Sequence, residues 1–365
     1  MKEIIMAGFA IFAMFFGSGN LVFPLITGYT TGSLWGEGVL GFSITGVLIP
    51  ALGLFVTTLC DGKVNEVFRP LTKTGAIGLS LFLLAILGPL GVVPRCIMVA
   101  YGSFQTFGPG FPLWIFSAFW CLVLYMIMPN RDKVVPMIGR YLTPVKLGTL
   151  LLVVGGAMWA IPEGEKFLSC GEEDPLMTGV FQGYHTMDLI ASFFFAMSVM
   201  GYFKSVDSNN MTYVWKKSLL ANLVGIIILF AMYVSFVYLG AAYQPLLKNV
   251  AAEQMLPTIA RYALGQSSGY VVSLTIIVSC LTTSVALIGA FCDYISDLLN
   301  LTPRGYLHLL RVAIGATFAV SLLGFQQIGA FLGPILEILY PFILVLTGVK
   351  LVLRVRALRK EGALS

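Results

Sequence analysis

Gly17-Ser18-Gly19-Asn20-Leu21-Val22-Phe23-Pro24 stands in the middle of the first apolar stretch of the chain, and its reading decides the fold. The residues before it, Ile4 to Phe16, are those of a membrane helix, and the apolar run continues past Phe23. Glycine's backbone freedom at positions 17 and 19, the competing hydrogen bonds of Ser18 and Asn20, and Pro24 one turn later all weaken a helix here. Backbone unwound at membrane depth is tolerated only where it is buried in protein or lines a cavity. N–H groups freed at the start of the second half-helix attract a carboxylate, and carbonyls freed at the end of the first attract a cation. The competing reading takes Gly17 and Gly19 as small residues for close helix packing, but Asn20 and Pro24 are superfluous to packing.

Outward from this segment, the composition is that of a membrane protein. Of 365 residues, 58% are hydrophobic and 11% charged, against about 25% charged in soluble domains, and the mean hydropathy is +0.90. The chain reads as a single transmembrane domain over 1–365. Apolar helices are expected at about 3–27, 38–60, 75–103, 112–129, 143–161, 178–203, 214–242, 267–292, 305–324 and 328–353, each long enough to span. The N-terminal stretch lacks an A-x-A-like cleavage site and reads as a retained first helix rather than a signal peptide. Basic residues neither cluster nor interleave with aromatics as a nucleic-acid surface requires. The six cysteines show no C-x-x-C spacing and carry no disulfide or metal argument.

With the N-terminus inside, ten spans also put the C-terminus inside. The inner side then holds Lys63, Arg69, Lys73, Arg131, Lys133, Arg140, Lys146, Lys204, Lys216, Lys217, Arg304, Arg311 and the basic tail. The outer side receives only Lys166, Lys248 and Arg261, the asymmetry of the positive-inside rule. The acidic loop Glu163, Glu165, Glu172, Glu173 and Asp174 falls outside. It divides the spans five and five, about 3–161 and 178–353, and because five is odd the halves are inverted repeats, the usual chassis of secondary transporters. By symmetry the sixth helix should also be interrupted, near Leu189 to Ser192. The loop from Tyr243 to Gly265, with a short amphipathic helix at 251–264, is the largest outer element, a lid or a plain connector.

Ionisable residues at membrane depth are expensive and so are candidates for function. Arg95 follows Gly88-Pro89-Leu90-Gly91-Val92-Val93-Pro94. Asp188 and His185 lie in the sixth helix and Glu337 in the tenth. Arg95 needs an acidic or carbonyl partner, and Asp188 or Glu337 would supply one; a structural clamp and a gating role both fit it. Ser18, His185 and Asp188 sketch a serine-nucleophile triad, but no G-x-S-x-G elbow accompanies them and an enzyme is not expected. The hydroxyls of Ser279-Cys280-Leu281-Thr282-Thr283-Ser284 suit a hard cation such as sodium, or simply bond their own i−4 carbonyls. No bound cofactor is implied.

The chain resembles the bacterial branched-chain amino acid permeases, the sodium-coupled leucine, isoleucine and valine symporters. The resemblance runs through Gly8-Phe9, Phe12-Ala13, Gly17-Ser18-Gly19-Asn20, Phe23-Pro24, Gly88-Pro89-Leu90, Pro94-Arg95, Gly183-Tyr184, Thr186-Met187-Asp188 and Tyr340-Pro341. It implies import of leucine, isoleucine and valine across the bacterial cytoplasmic membrane by sodium symport with alternating access. By the same resemblance the substrate carboxylate meets backbone N–H groups of Gly17, Ser18 and Gly19, the ammonium meets helix 6 carbonyls near Leu189, and Ser192 is a further substrate-binding candidate. Phe193 and neighbouring apolar residues are expected to hold the branched side chain. Asn20 is expected near one sodium, and a second sits between carbonyls of Ala13 and Phe16 and the hydroxyls of Thr282 and Thr283. Proton coupling through Asp188 or Glu337, and a truncated or sensing protein that binds without transporting, are the alternatives. Family members usually continue for two more helices, whereas this sequence ends at Ser365.

Overall fold

The apolar runs fold as helices because a backbone in lipid must satisfy its own hydrogen bonds. The computed structural model describes residues 1–161, 174–206 and 210–360, and the side chains of all these but 130–143 and 358–360. Among the described residues every regular element is helical. The first half comprises α1 (Lys2–Phe15), α2 (Ser18–Thr31), α3 (Trp35–Ser43), α4 (Ile49–Leu59), α5 (Val64–Val67), α6 (Lys73–Leu87), α7 (Val92–Phe104), α8 (Leu113–Ile127) and α9 (Arg131–Trp159). The second comprises α10 (Pro175–His185), α11 (Asp188–Val206), α12 (Met211–Ala242), α13 (Gln244–Leu247), α14 (Met255–Leu264), α15 (Gln266–Leu299), α16 (Pro303–Ser321) and α17 (Phe325–Lys360).

These elements occupy the ten expected spans. The first helix of each half is the interrupted one, α1/α2 and α10/α11, as an inverted five-plus-five architecture requires. Six helical stretches of the described residues are by length and composition alone sufficient to cross a membrane: Ser18–Leu59, Lys73–Phe104, Asp188–Val206, Met211–Ala242, Gln266–Leu299 and Phe325–Ala357. The acidic loop expected between the halves lies outside the described residues except for Asp174, whose carboxylate accepts the N–H of Leu176 at 2.9 Å and caps α10.

Several boundaries differ from the hydropathy reading, three of them with a local cause or consequence. The third span is two helices, because Gly88 ends α6 and Pro89, which lacks an N–H, keeps the chain from continuing until Val92. The eighth runs on to Leu299, where Asn300 takes up the left-handed conformation (φ 48°) that ends it. The fifth begins at Arg131 rather than at 143. Lys146, expected at the inner surface, therefore lies about four turns inside the helix and is only 4% exposed.

Packing between the halves depends on missing side chains. A Cβ at Gly28 on α2 would lie 1.8 Å from the Val237 carbonyl oxygen of α12, and one at Gly240 would lie 2.2 Å from the Leu25 carbonyl oxygen. The same close approach joins α3 to α10, where a Cβ at Gly41 would meet the Leu176 oxygen at 2.0 Å. Helix association in lipid relies on such backbone contact, since apolar burial contributes little there. Gly28→Ala should accordingly lower the melting temperature of the detergent-solubilised protein. Gly315→Ala, where a methyl group meets nothing within 4 Å, should leave it unchanged or raise it.

Candidate functional site

The first interruption falls at the Gly-Ser-Gly-Asn segment. α1 stops at Phe15, Gly17 adopts an extended conformation (φ −99°, ψ −155°), and α2 restarts at Ser18. The Gly17 N–H donates to the Phe15 carbonyl at 2.6 Å and to Asn20 Oδ1 at 3.3 Å. Asn20 thus closes the break by capping back on it, as the third residue of a capping box does. Of the three N–H groups expected to face a carboxylate, the Gly17 group is already committed. Those of Ser18 and Gly19 open the first turn of α2, where no intrahelical acceptor exists. Pro24 removes the N–H that would otherwise bond the Asn20 carbonyl.

The second interruption falls at Thr186 and Met187, just before the expected Leu189 to Ser192. Met187 has φ of 60°, a conformation that costs a bulky residue of this kind and is held by its surroundings. The Thr186 hydroxyl donates to the Gly183 carbonyl at 2.8 Å and accepts the Asp188 N–H at 3.4 Å. One side chain thereby closes α10 and opens α11. Symmetry with the first break locates the sixth helix but not the residue, since nothing in a Thr-Met-Asp triplet marks a left-handed position.

Asp188, 1% exposed, begins α11, so its carboxylate sits at the favourable end of a helix dipole. Asn20 Nδ2 donates to both of its oxygens, at 2.9 and 2.8 Å, and the Tyr233 hydroxyl of α12 donates to Oδ2. Asn20 Nδ2 also lies against the Tyr233 hydroxyl oxygen. These three side chains tie both broken helices to α12. Tyr233 escapes a reading of the sequence because a tyrosine in an apolar span carries no local signal; only the fold brings it to the break.

A small cavity of about 20 Å³, room for one water, lies between the breaks. Its wall includes Gly17, Ser18, Gly19, Asn20, Arg95, Thr186, Asp188 and Thr283. The apolar part of the wall comes from Ala191 and Phe195 of α11 together with Met14, Phe15 and Leu287. Leu189, Ser192 and Phe193 are buried elsewhere. The Ser192 hydroxyl bonds the Leu189 carbonyl at 2.6 Å and faces Gly53 of α4, while Phe193 packs edge-on against Phe68 at 5.1 Å. The displaced break accounts for this: starting the helix at Asp188 turns 191 and 195 toward the cavity.

Arg95 does not pair with Asp188 or Glu337. Its Nη1 donates to the His185 carbonyl at 2.9 Å, at the end of α10, and its guanidinium lies 5.2 Å from the centre of the Phe23 ring. Phe23 in turn stacks on His185 at 5.2 Å. This layer separates the small cavity from a vestibule of about 560 Å³ walled by Phe23, Tyr29, Gln182, His185, Met255 and Glu337, among others. Ser18 Oγ takes its hydrogen bond from Cys96 Sγ at 3.4 Å, so the serine, histidine and aspartate do not form a triad.

At the expected second cation position, the Phe16 carbonyl that ends α1 accepts the Lys146 ammonium of α9 and, at 3.3 Å, the Ser279 hydroxyl of α15. Ala13 lies one turn earlier on α1. The Thr282 hydroxyl bonds the Ser279 carbonyl at 2.8 Å. Thr283 stands over Gly17, where a Cβ would meet its methyl at 3.2 Å. Among the described residues no cluster of His, Cys, Asp and Glu could hold a metal ion.

The two ends of the bundle differ. The vestibule opens where α14 packs, and the 243–265 segment forms a wall there: Gln244 Nε2 donates to the Tyr29 carbonyl at 2.6 Å and Gln254 Nε2 to Gln105 Oε1 at 2.7 Å. At the opposite end a polar web crosses the chain around α5. Lys204 Nζ donates to the Asp61 carbonyl at 2.8 Å, Trp215 Nε1 to Asp61 Oδ1 at 3.0 Å and Arg354 Nε to the Leu59 carbonyl at 2.9 Å. Glu66 pairs with Arg69 at 3.1 Å and Lys350 at 3.6 Å. Against a burial penalty that acts the other way, these two cations hold its carboxyl below the ordinary range.

The model of the branched-chain amino acid transport protein family matches residues 1–363, and the chain belongs to that family. It is 29% identical over 357 residues to the branched-chain amino acid transport system 2 carrier protein of Pseudomonas aeruginosa, covering 96% of this chain and 80% of that one. It is 28% identical over 374 residues to the branched-chain amino acid permease BraB of Bacillus subtilis, covering 99% and 82%. Among solved structures, a nucleobase-cation-symport-1 family transporter in a closed conformation with bromovinylhydantoin bound is similar over 91% of this chain and 76% of that one, with a TM-score of 0.63 and 13% identity. A manganese transporter of Eremococcus coleocola, in complex with an aromatic bis-isothiourea compound, covers 95% and 76% with a TM-score of 0.59 and 15% identity.

The Asn20–Asp188 pair joins the two breaks, and the two side chains should be energetically coupled. Asn20→Ala and Asp188→Ala are each expected to destabilise the protein, and the double variant should lose less than the sum, by about 1–3 kcal/mol. Unfolding of the four proteins in detergent measures it; strictly additive losses would show that the bond is not made.

Proposed function

We propose that this chain imports leucine, isoleucine and valine across a bacterial cytoplasmic membrane by sodium symport with alternating access, both termini facing the cytoplasm. Its relatives are named as carriers of branched-chain amino acids, and solved structures of similar fold are transporters. The observation that carries the reading is the juxtaposition of two broken helices around a buried carboxylate, Asp188, and the open N-terminus of α2. The Ser18 and Gly19 N–H groups suit an amino acid's carboxylate, and Ala191, Phe195 and Leu287 suit a branched side chain. A sodium ion is assigned to the neighbourhood of Asn20, whose Oδ1 is a hard donor of the kind such an ion takes. Substrate and ion then share one break, and each strengthens binding of the other.

Alternating access is supported by the unlike ends of the bundle. The cavity between the breaks is too small for leucine, so entry from the vestibule requires the Phe23–His185 layer to move, and exit requires the web around Asp61 to part. One observation favours a second reading, proton coupling. The Lys146 ammonium already holds the Phe16 carbonyl, which the resemblance gives to a sodium, so the chain itself supplies one of the two expected cations. Asp188, and Glu337 on the vestibule wall, are then the proton carriers.

Uptake of labelled leucine into proteoliposomes, with external sodium replaced by potassium in a paired control, decides between these readings. Sodium-dependent accumulation is expected; accumulation that ignores sodium and follows a pH gradient selects the second reading, and binding without accumulation rejects transport. Gly19→Leu brings a side chain to within 3.3 Å of the Thr186 backbone at its Cβ alone, and should abolish uptake with membrane insertion intact. Asp61→Asn keeps the left-handed backbone that position 61 adopts (φ 58°) but weakens the web by removing the negative charge that faces Arg354 Nη2 at 3.9 Å. In a chain whose other cysteines are serine, it should raise the rate at which buried Cys60 reacts with a maleimide added from the web's side.

A further inference from the structure

Arg95 is 1% exposed and carries five N–H donors on three nitrogens. Among the described residues only Nη1 finds an acceptor, the His185 carbonyl at 2.9 Å; Nε and Nη2 are buried with no hydrogen-bond partner among them. A buried donor left unpaired costs about 1–3 kcal/mol, more when charged. Closing the end of α10 needs a single donor, as Lys146 shows at Phe16, so a guanidinium with a spare edge is more than that closure requires.

The free nitrogens form one edge of the guanidinium, and Nε with Nη2 is a fork whose two parallel N–H bonds match a carboxylate. No carboxylate of the described residues takes it. Both Asp188 oxygens accept from Asn20 and Tyr233, and Glu337 stands on the vestibule wall. The position is right for a ligand entering from the vestibule: Arg95 shares the cavity wall with Ser18, Gly19 and Asp188, and Nη2 borders Gly329 of the vestibule wall, where even an added Cβ would stand 3.9 Å away. The Phe23 ring under the guanidinium excludes water from one face without competing for its N–H groups.

We infer that Arg95 binds the α-carboxylate of the transported amino acid through its Nε–Nη2 edge, against the Ser18 and Gly19 N–H groups. Asp188, of opposite sign on the same wall, faces the α-ammonium. The site thereby selects for a free amino acid over amides, esters and peptides, whose carboxyl carbon carries no charge. This rests on the transport reading above and names the group that recognises the common part of leucine, isoleucine and valine.

The test uses the full chain in detergent, titrated calorimetrically with leucine and with leucinol, which keeps the ammonium and the side chain but lacks the carboxylate. The wild type should prefer leucine by about 100-fold, the scale for removing one member of a buried charge-assisted pair. In Arg95→Gln that preference should fall at least tenfold through loss of leucine binding, with leucinol little changed, and Arg95→Lys should fall between. An undiminished preference in Arg95→Gln would overturn the inference and leave the transport reading standing. A wild type that binds neither compound would overturn both.

Should Arg95→Gln fail to fold, modification of wild-type Arg95 by phenylglyoxal, followed by peptide mass spectrometry, decides instead. Leucine should slow it at concentrations where leucinol does not; equal protection by both would assign Arg95 to the His185 carbonyl alone.

Discussion

A helix that stops inside a membrane leaves carbonyls at one end and N–H groups at the other, and neither lipid nor a neighbouring apolar side chain can satisfy them. The rest of this structure is arranged around that constraint, met twice. At each break the carbonyl end meets a fixed cation: Lys146 at Phe16 and Arg95 at His185. At α11 the N–H end meets a fixed anion, Asp188 in the first turn. At α2 the N–H end borders the cavity between the breaks.

The charges at membrane depth are thus the counterparts of interrupted backbone. Each would be costly alone, by about 2.5–3.5 kcal/mol on insertion scales. Asn20 and Tyr233 spread the Asp188 charge over hydrogen bonds from two other helices, and the same bonds fix the two broken helices relative to α12. One carboxylate thus joins the two breaks directly, through the Asn20 amide. Glycines act in the complementary way, since Gly28, Gly41 and Gly240 bring backbones together where apolar burial, weak in lipid, would not.

How much of this is legible in the sequence divides by the range of the interaction. The Gly-Ser-Gly-Asn segment is readable because its weakness as a helix is local: two glycines, two side chains that bond their own backbone, and a proline. The spans are readable because lipid imposes length and apolarity on every one of them, and Arg95, Asp188 and Glu337 stand out as charges against that background. The sixth-helix break lies a few residues before its expected place because it is held by a Thr186 side-chain bond and an imposed left-handed Met187 rather than by glycine. That shift moves the α11 residues on the cavity wall from Leu189, Ser192 and Phe193 to Asp188, Ala191 and Phe195.

By itself, then, the sequence determined a ten-span helical membrane protein with a first helix that cannot remain continuous, since composition and local backbone preference act within a few residues. Partnership was decided only by tertiary structure. Lys146 reads as a surface lysine until α9 is seen to begin twelve residues earlier, Tyr233 as one apolar residue among many, and Arg95 as the mate of either an acid or a carbonyl. Each of these depends on which helices stand side by side, and electrostatic and hydrogen-bond partners across a bundle are set by that packing.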